Sequence, residues 1–285
     1  MLQPGAGFIR GRMWSMDLQT ARILNEVTSQ FYREHAGSFS ATRHAGWPGW
    51  ARALDGEAGA AFRDRGGETP TVLDVACGNM RFERFLQERF PENAFRVWAV
   101  DNCAPLATGN ADAFTLLGEG LANRVGFREL DVMERLLAGD LAACLPERAF
   151  DLVVCFGFMH HVPGGENRAR LLRVLADKVK PGGYLVVSFW QFLNSPELAA
   201  KAHEAHARGL QALRAAGLDP AQLEEGDYLL GWQNEQDAFR YCHNFTHHEI
   251  ERLVQTAGLS SHPATLFQAD GRTQTLNAYL VVAGK

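Results

Sequence analysis

Five short apolar runs, each the length of a β-strand, alternate with amphipathic helical patterns along the chain. The runs are TVLDVA (71–76), FRVWAV (95–100), VGFREL (125–130), FDLVVCFGF (150–158) and GYLVVSFW (183–190). Several are almost continuously apolar, which is typical of parallel strands that are covered on both faces. Between them, Phe or Leu residues at helical spacing predict helices over 79–90 and 166–179. The alternation predicts right-handed βαβ units and a doubly wound α/β sheet.

The C-terminal end departs from this alternation. A helical pattern over 247–259 is followed by two strand-like runs, 263–268 and 276–283, with no helix between them. Such a pair predicts an antiparallel hairpin at the edge of the sheet. The whole order of elements resembles the seven-stranded, mostly parallel, Rossmann-like plan of class I S-adenosylmethionine (SAM) methyltransferases. The resemblance implies a SAM-binding methyltransferase domain over residues 70–285.

Other segments complete the predicted domain organisation. Residues 1–16 contain several glycines and are expected to form a flexible tail, and residues 17–69 are expected to form an N-terminal helical flap. Residues 191–245 interrupt the plan between the fifth strand and the last helix. We interpret them as an inserted cap, with one helix near 196–216 and an aromatic, irregular segment after it.

Composition limits the class of partner. A length of 285 residues suffices for one large core, and the formal net charge of −5 gives no support to non-specific nucleic-acid binding. The five cysteines include no C-x-x-C pair, which favours reduced thiols over a zinc site. No apolar run approaches the roughly 20 residues that a membrane span needs, and no signal peptide is visible. We therefore expect a cytoplasmic protein with no membrane contact and no metal.

The first strand leads into a loop with one glycine, and acidic residues end the next two strands. Asp74 and Gly78 match the acidic-x-Gly-x-Gly-x-Gly loop of SAM methyltransferases, although Ala76 and Met80 replace the outer glycines. Asp101 suits the ribose hydroxyls and Asp131 the adenine amino group, although each aspartate could instead cap a helix or turn. The predicted cofactor site comprises Asp74, Ala76, Gly78, Asp101, Asn102, Asp131, Val132 and Phe156.

The end of the fourth strand, from Phe156 to His161, is expected to border the transferred methyl group. The Asn/Asp-Pro-Pro-aromatic tetrad of amide and exocyclic-amine methyltransferases is absent there, which argues against adenine or glutamine as the acceptor. His160 and His161 could orient the acceptor or remove its proton, or one of them could simply cap the following turn. Asp151, which precedes this strand, is expected to be a strand-entry residue.

The segment FYREHAGSFSATRHAGWPGW resembles the N-terminal signature of the wobble-uridine tRNA methyltransferases, which esterify 5-carboxymethyluridine. The matching positions are Phe39, Ser40, Thr42, Arg43, Trp47 and Pro48, and the resemblance resumes in MHHV, KPGG, SFWQF and RYCHNFTHHEIERLV. It implies a tRNA substrate and a small zinc-binding activator subunit. The chain departs from the family at Ala76 and Met80, and has Leu230 to Trp232 where the family's cap has Val-Pro-Trp.

The chemistry of a carboxylate acceptor needs little more than placement, because a carboxylate is already ionised at pH 7. An arginine is the natural bidentate clamp, so Arg43 and Arg240 are candidates. Arg43 could instead hold the carboxylate of SAM or pair with a structural acid. A planar acceptor could be walled by Trp47, Trp50, Trp190 and Trp232, although each of them is more commonly a packing residue, and Tyr241 is a further candidate for substrate binding. His203, His206, His243, His247 and His248 are interpreted as solvated surface residues.

Three functions are compatible with these features. The first is a SAM-dependent methyltransferase acting on a carboxylate, either in tRNA or in a small metabolite. The second is a small-molecule O- or N-methyltransferase that uses His160 or His161 as a base. The third, suggested by the altered glycine loop, is a catalytically silent methyltransferase fold that binds a partner.

Overall fold

The computed structural model describes residues 16–59, 68–91, 95–107, 123–147, 149–233 and 235–285, and for Gln236 the backbone alone. The predicted flexible tail, residues 1–16, lies outside the described residues except for Met16. Among the described helices, none is long and apolar enough to cross a membrane.

One seven-stranded sheet carries the fold, as predicted. Its strands are β1 Thr71–Val75, β2 Arg96–Asp101, β3 Val125–Glu129, β4 Phe150–Cys155, β5 Val179–Trp190, β8 Ala264–Ala269 and β9 Asn277–Ala283. The spatial order is β3-β2-β1-β4-β5-β9-β8. β1 to β5 run parallel, whereas β9 is antiparallel to both β5 and β8. The order in which strands are added to the sheet reverses between β1 and β4, so the carboxyl ends of these two parallel strands border the crevice where such sheets bind ligands.

Helices cover both faces of this sheet. They are α1 Leu18–Ser40, α2 Pro48–Asp55, α3 Arg81–Arg89, α4 Ala104–Ala107, α5 Val132–Ala138, α6 Leu141–Cys144, α7 Gly165–Ala176, α8 Pro196–Arg214 and α9 His247–Thr256. Residues from α5, α7 and α9 pack with alternate strand residues such as Val153 into one core. Residues from α2 and α3 pack with the intervening strand residues, such as Leu152, into a second core. This two-sided burial explains why the parallel strands are continuously apolar.

The cap contains more regular structure than the sequence predicts. After α8, the segment expected to be irregular forms an antiparallel hairpin of β6 Asp227–Trp232 and β7 Glu235–His243. Leu24 of α1 packs in one cluster with Leu229 and Tyr241 of this hairpin. The N-terminal helix and the cap therefore form one wall above the sheet.

The signature segment 38–50 is likewise more helical than it looks. Ser38 to Ser40 form the last turn of α1, and α2 begins at Pro48, which suits the first helical position. The turn between the two helices presents Arg43 and Trp47. Asp151 has the predicted structural role. It accepts hydrogen bonds from the backbone N–H and the hydroxyl of Thr71, where the neighbouring strands β4 and β1 begin.

Candidate active site

A cavity of about 420 Å³ lies at the carboxyl ends of the parallel strands, beneath α1, the turn before α2 and the cap. All but two of the predicted site residues line it. Those lining it are Arg43, Trp47, Asp74, Ala76, Gly78, Asp101, Asn102, Asp131, Val132, Phe156, His160, His161, Trp190 and Arg240. The exceptions are Trp232 and Tyr241.

The loop after β1 keeps the backbone of a three-glycine loop with a single glycine. Ala76, Gly78 and Met80 have φ angles of +62°, +57° and +54°, in the left-handed region that favours glycine. The Met80 side chain is fully buried in the core beside α3, and its packing offsets part of this strain. The two replaced glycines therefore change the side chains of the loop and leave its turn intact.

The two aspartates that follow β2 and β3 are held in place by the chain itself. Asp101 Oδ2 accepts from the Gly78 backbone N–H at 2.9 Å, and Oδ1 accepts from the Cys103 N–H at 2.8 Å. Asp131 Oδ1 caps α5 by accepting from the Glu134 N–H, and its Oδ2 accepts from Asn102 Nδ2 at 3.2 Å. Both aspartates line the cavity as well, so their structural hydrogen bonds are compatible with the predicted binding role.

A second carboxyl lies against Asp74, which sequence reasoning missed. Glu83 of α3 is fully buried, and neither of its carboxylate oxygens has a conventional hydrogen-bond donor among the described residues. Burial raises the pKa of Glu83 to about 7, and burial together with the neighbouring Glu83 raises the pKa of Asp74 well above its usual value. The two carboxyls therefore share at least one proton near neutral pH.

Two arginines, Arg43 from the turn after α1 and Arg240 from β7, converge on the cavity. The Arg43 guanidinium lies 3.6 Å above the centre of the Phe39 ring, and that of Arg240 lies 4.8 Å above Phe31. Both also lie within 6 Å of the centre of the Trp232 ring, at 5.6 Å and 5.4 Å. Arg43 donates to the Phe39 carbonyl and the Thr42 hydroxyl, and Arg240 donates to the Gly231 carbonyl.

Neither arginine has a carboxylate within 4.0 Å among the described residues, so the structural-pair interpretation of Arg43 is wrong for this part of the chain. Burial, together with the positive charge of Arg240, lowers the pKa of Arg43 below its usual value. The part of the cavity around half-buried Arg43 and buried Arg240 is therefore a positive region that an anion would neutralise.

The adjacent residues His160 and His161 differ in their hydrogen bonding. His161 Nδ1 lies 2.7 Å from the Tyr241 carbonyl oxygen, which can only accept, so Nδ1 carries the proton and Nε2 accepts from the Tyr32 hydroxyl at 2.8 Å. Burial lowers the pKa of His161 to about 3. His160 Nδ1 is buried with no partner among the described residues, and burial and then His161 and Arg240 hold its pKa well below the usual value. Both rings are neutral at pH 7 and are weak bases.

Trp232 and Tyr241 do not line the cavity, which corrects the predicted substrate contacts. Tyr241 is fully buried behind the wall, where its hydroxyl donates to Asp227 Oδ1 at 2.6 Å. The centre of the Trp232 ring lies within 6 Å of both guanidinium groups, and its Nε1 donates to Ser38 Oγ at 3.2 Å. These residues position cavity-lining groups and do not contact the space themselves.

His243 is buried, so its interpretation as a surface histidine is wrong. Its side chain is 1% exposed, with Nδ1 2.6 Å from Asp227 Oδ1 and Nε2 2.8 Å from Glu249 Oε1. The fully buried Arg168 of α7 contacts Glu249 and forms a close ion pair with Glu224. This charged cluster joins the hairpin to α7 and α9.

Several cavity-lining residues were not predicted from the sequence. They include Tyr32, Asn79, Arg81, Asp270 and Asn277. Asp270 follows β8 and accepts from the Gly49 N–H, Asn277 Nδ2 and the Tyr279 hydroxyl, which ties the last hairpin to the start of α2. Its place at a strand end, before Gly271, was the available signal.

Comparison with known proteins decides the family. Residues 50–262 match the family model described as a methyltransferase domain. The chain belongs to this methyltransferase family. Among similar proteins, a putative methyltransferase from Encephalitozoon cuniculi is 28% identical over 231 residues, which cover 80% of this chain and 85% of that protein.

A second similar methyltransferase is the tRNA (carboxymethyluridine(34)-5-O)-methyltransferase ALKBH8 of Macaca fascicularis. It is 23% identical over 175 residues, which cover 61% of this chain and 21% of that longer protein. This chain therefore corresponds to about a fifth of that relative's length.

Solved structures show the same fold. A SAM-dependent methyltransferase from Methanosarcina mazei superposes with a TM-score of 0.52 at 17% identity, covering 76% of this chain and 93% of that one. Another from Clostridium acetobutylicum gives 0.51 at 12% identity, with 90% and 98% covered. LepI in complex with SAM gives 0.51 at 14% identity, with 81% and 46% covered.

The residues of the cavity fit SAM, so the methyltransferase is SAM-dependent. The fixed carboxylates of Asp101 and Asp131 retain lone pairs for hydroxyl and amino donors, and Asp74 lies beside the glycine-type loop. SAM, when bound, supplies an electrophilic methyl group on its sulfonium sulfur. Phe156, at the end of β4, lines the cavity and packs against Trp50 and Phe82.

Proposed function

We propose that this methyltransferase transfers the methyl group to a carboxylate oxygen. One observation carries the proposal: Arg43 and Arg240 converge on the cavity with no carboxylate partner among the described residues. One buried and one half-buried guanidinium group without counter-ions are costly unless the ligand supplies negative charge. A carboxylate accepts two parallel N–H bonds from an arginine, which also fixes its orientation.

The neutral histidines support the same acceptor class. An amine or hydroxyl acceptor must lose a proton, and His160 and His161 are held as weak bases by burial. A carboxylate has already lost its proton at pH 7, so the protein has only to place it in line with the methyl group. His160, unpaired and beside Trp190 with ring centres 5.0 Å apart, can donate a hydrogen bond to a carboxylate oxygen without competing for the methyl group.

The acceptor that we propose to test first is the carboxymethyl group of a wobble uridine in tRNA. The signature residues Phe39, Arg43 and Trp47 lie together at the cavity, and the ALKBH8 relative is named for methylating carboxymethyluridine. The net charge of −5 favours a second candidate, a small carboxylic acid, because such an acceptor needs no basic docking surface.

The test is methyl transfer from SAM with an isotope-labelled methyl group to tRNA that carries 5-carboxymethyluridine, with and without an activator subunit. A panel of small carboxylic acids is assayed in parallel. A methyl ester is released as labelled methanol by mild alkali, whereas methyl ethers and methylamines are stable under these conditions. Alkali-stable product, or labelling of hydroxyl or amine compounds only, would overturn the proposal.

The two acceptor arms separate the source of the carboxylate. Ester formed on tRNA and absent from the small acids supports the wobble uridine. Ester formed on a small acid, with carboxymethyluridine tRNA unchanged even when the activator is present, refutes the tRNA acceptor and leaves carboxylate methylation standing.

A further inference from the structure

The loop that receives the cofactor has few backbone donors left for an anion. The N–H groups of Ala76 and Cys77 both donate to the Val100 carbonyl, at 2.8 Å and 3.1 Å. The Gly78 N–H donates to Asp101, and the Met80 N–H donates to the Cys77 carbonyl at 3.1 Å. SAM carries a carboxylate at its amino-acid end, so a side chain must supply the positive charge that this loop does not.

Arg81 is placed to supply it. It is the first residue of α3, directly after the left-handed Met80, and its side chain lines the cavity. The guanidinium donates to the Ala45 carbonyl at 3.2 Å and lies 5.2 Å and 5.4 Å from the ring centres of Trp47 and Trp50. These contacts fix the orientation of the guanidinium and leave its charge uncompensated, because no described carboxylate lies within 4.0 Å of it.

The protonation equilibrium of Arg81 agrees with this geometry. Burial, followed by the charges of Arg43 and Arg84, lowers the pKa of Arg81 to about 10. A neighbouring carboxylate would have the opposite effect. The guanidinium is therefore a half-buried cation that a ligand carboxylate would stabilise.

The three arginines are neighbours but are held by different elements. The charge of Arg43 acts on both Arg240 and Arg81, and its guanidinium stacks on Phe39 at the end of α1. Arg81 lies on the wall formed by the cofactor loop and α3. We propose that Arg81 binds the carboxylate of the methionine portion of SAM, which leaves Arg43 and Arg240 to the acceptor. This inference concerns the cofactor and does not depend on which acceptor is methylated.

The experiment compares binding of SAM and decarboxylated SAM by calorimetry, with the full chain and no acceptor. We expect the wild type to prefer SAM by about 30-fold, the value of a charge-assisted bidentate hydrogen bond. Arg81→Met should lose that preference, with SAM weakened about 30-fold and decarboxylated SAM changed less than threefold. Arg81→Lys should restore part of the preference, because it keeps the charge.

Two matched variants complete the design. Arg89→Met removes an exposed arginine from the other end of α3 and should leave both affinities unchanged. Arg43→Met should keep the preference for SAM. If Arg43→Met abolishes the preference and Arg81→Met keeps it, the assignment of the two arginines is wrong. If the wild-type protein binds SAM and decarboxylated SAM equally, no residue binds the SAM carboxylate and the proposal fails. Thermal melting checks that each variant is folded.

Discussion

At the scale of single residues, Arg43 bears the largest share of the proposed chemistry. Arg43→Met should lower kcat/KM for methyl transfer by about 100-fold, because a charge-assisted bond to the acceptor carboxylate is lost. SAM affinity should stay within about tenfold, because we assign Arg43 to the acceptor carboxylate and Arg81 to the carboxylate of SAM. Initial-rate kinetics and calorimetry measure the two effects. Arg52→Met is the matched control, since Arg52 also stacks on an aromatic ring, Phe267, but lies outside the cavity.

A loss of SAM affinity as large as the loss of turnover would contradict this division of roles. It would place Arg43 on the cofactor. Arg52→Met should change neither quantity by more than about twofold.

Glu83 is a second residue whose removal has a definite expected result. Its pKa is about 7 in the folded chain, above the ordinary 4.5, so the unfolded chain loses this proton first and stability falls as pH rises between these values. Glu83→Gln removes the buried charge and can donate to Asp74. Above pH 7 it should therefore raise the free energy of unfolding by on the order of 2 kcal/mol.

Chemical denaturation at pH 5 and pH 8 measures this effect, which should be small at the lower pH. Glu88→Gln on the same helix is the control, because Glu88 is exposed and should show no such gain. A destabilised Glu83→Gln at pH 8 would mean that an ionised Glu83 has a stabilising partner in the folded chain.

Single residues also show where sequence reasoning succeeded and failed. The position of Asp101 and Asp131 at the cavity could be predicted from the sequence, because residues at the carboxyl ends of parallel strands face one common crevice. The prediction that Tyr241 contacts the substrate was wrong, although its neighbour Arg240 lines the cavity. Successive residues of a strand point to opposite faces, so at most one of the two could reach it. Nor could composition reveal that Ala76 and Met80 keep glycine-like backbones, since tertiary packing imposes that conformation.

At the scale of elements, the cap hairpin was the least predictable part of the fold. The sequence of β7, EQDAFRYCH, mixes charged and apolar residues without clean alternation. Its buried polar residue His243 is satisfied by Glu249 from α9 and Asp227 from β6, and Arg168 of α7 completes the cluster. Whether such a segment forms a strand depends on partners from distant parts of the chain, so its local sequence pattern could not predict the strand. The parallel strands, buried on both faces, needed no such information.

The charged cluster makes a prediction about the cap. Burial and Arg168 oppose the charge on His243, but its hydrogen bonds to the carboxylates of Asp227 and Glu249 outweigh them and raise its pKa above 6.5. A raised folded-state pKa means that the stabilisation is complete below pH 6.5 and is lost as pH rises through the higher folded value. The wild type should therefore melt at a lower temperature at pH 8.5 than at pH 6.

His243→Gln should reduce this pH dependence while lowering the melting temperature at pH 6. His203→Gln, which changes an exposed histidine of α8, should keep the wild-type profile. Scanning calorimetry at both pH values gives the comparison. An unchanged slope in His243→Gln would show that His243 does not titrate between the two states.

At the scale of the whole molecule, the cavity is where separate parts of the chain meet. Its walls come from α1, the turn before α2, the ends of β1, β2 and β4, the cap strand β7 and the loop between β8 and β9. Hydrogen bonds connect these parts, for example from Asn79 to the Arg43 carbonyl, from Gly49 to Asp270 and from Tyr32 to His161. A ligand in the cavity would add contacts to several of them at once, so binding should stabilise the molecule as a unit.

S-adenosylhomocysteine, the demethylated product, tests this coupling without turnover. At 100 times its dissociation constant it should contribute about 2.7 kcal/mol, which corresponds to a melting-temperature increase of about 5–10 °C. Hydrogen exchange should slow in 76–80 and 101–103, and also in 39–50, which belongs to the N-terminal wall. The backbone around the α9–β8 groove, lined by Val254 and Leu266, should exchange as before. Protection confined to 76–80 and 101–103, with 39–50 unchanged, would show that the N-terminal segment does not close on the cofactor.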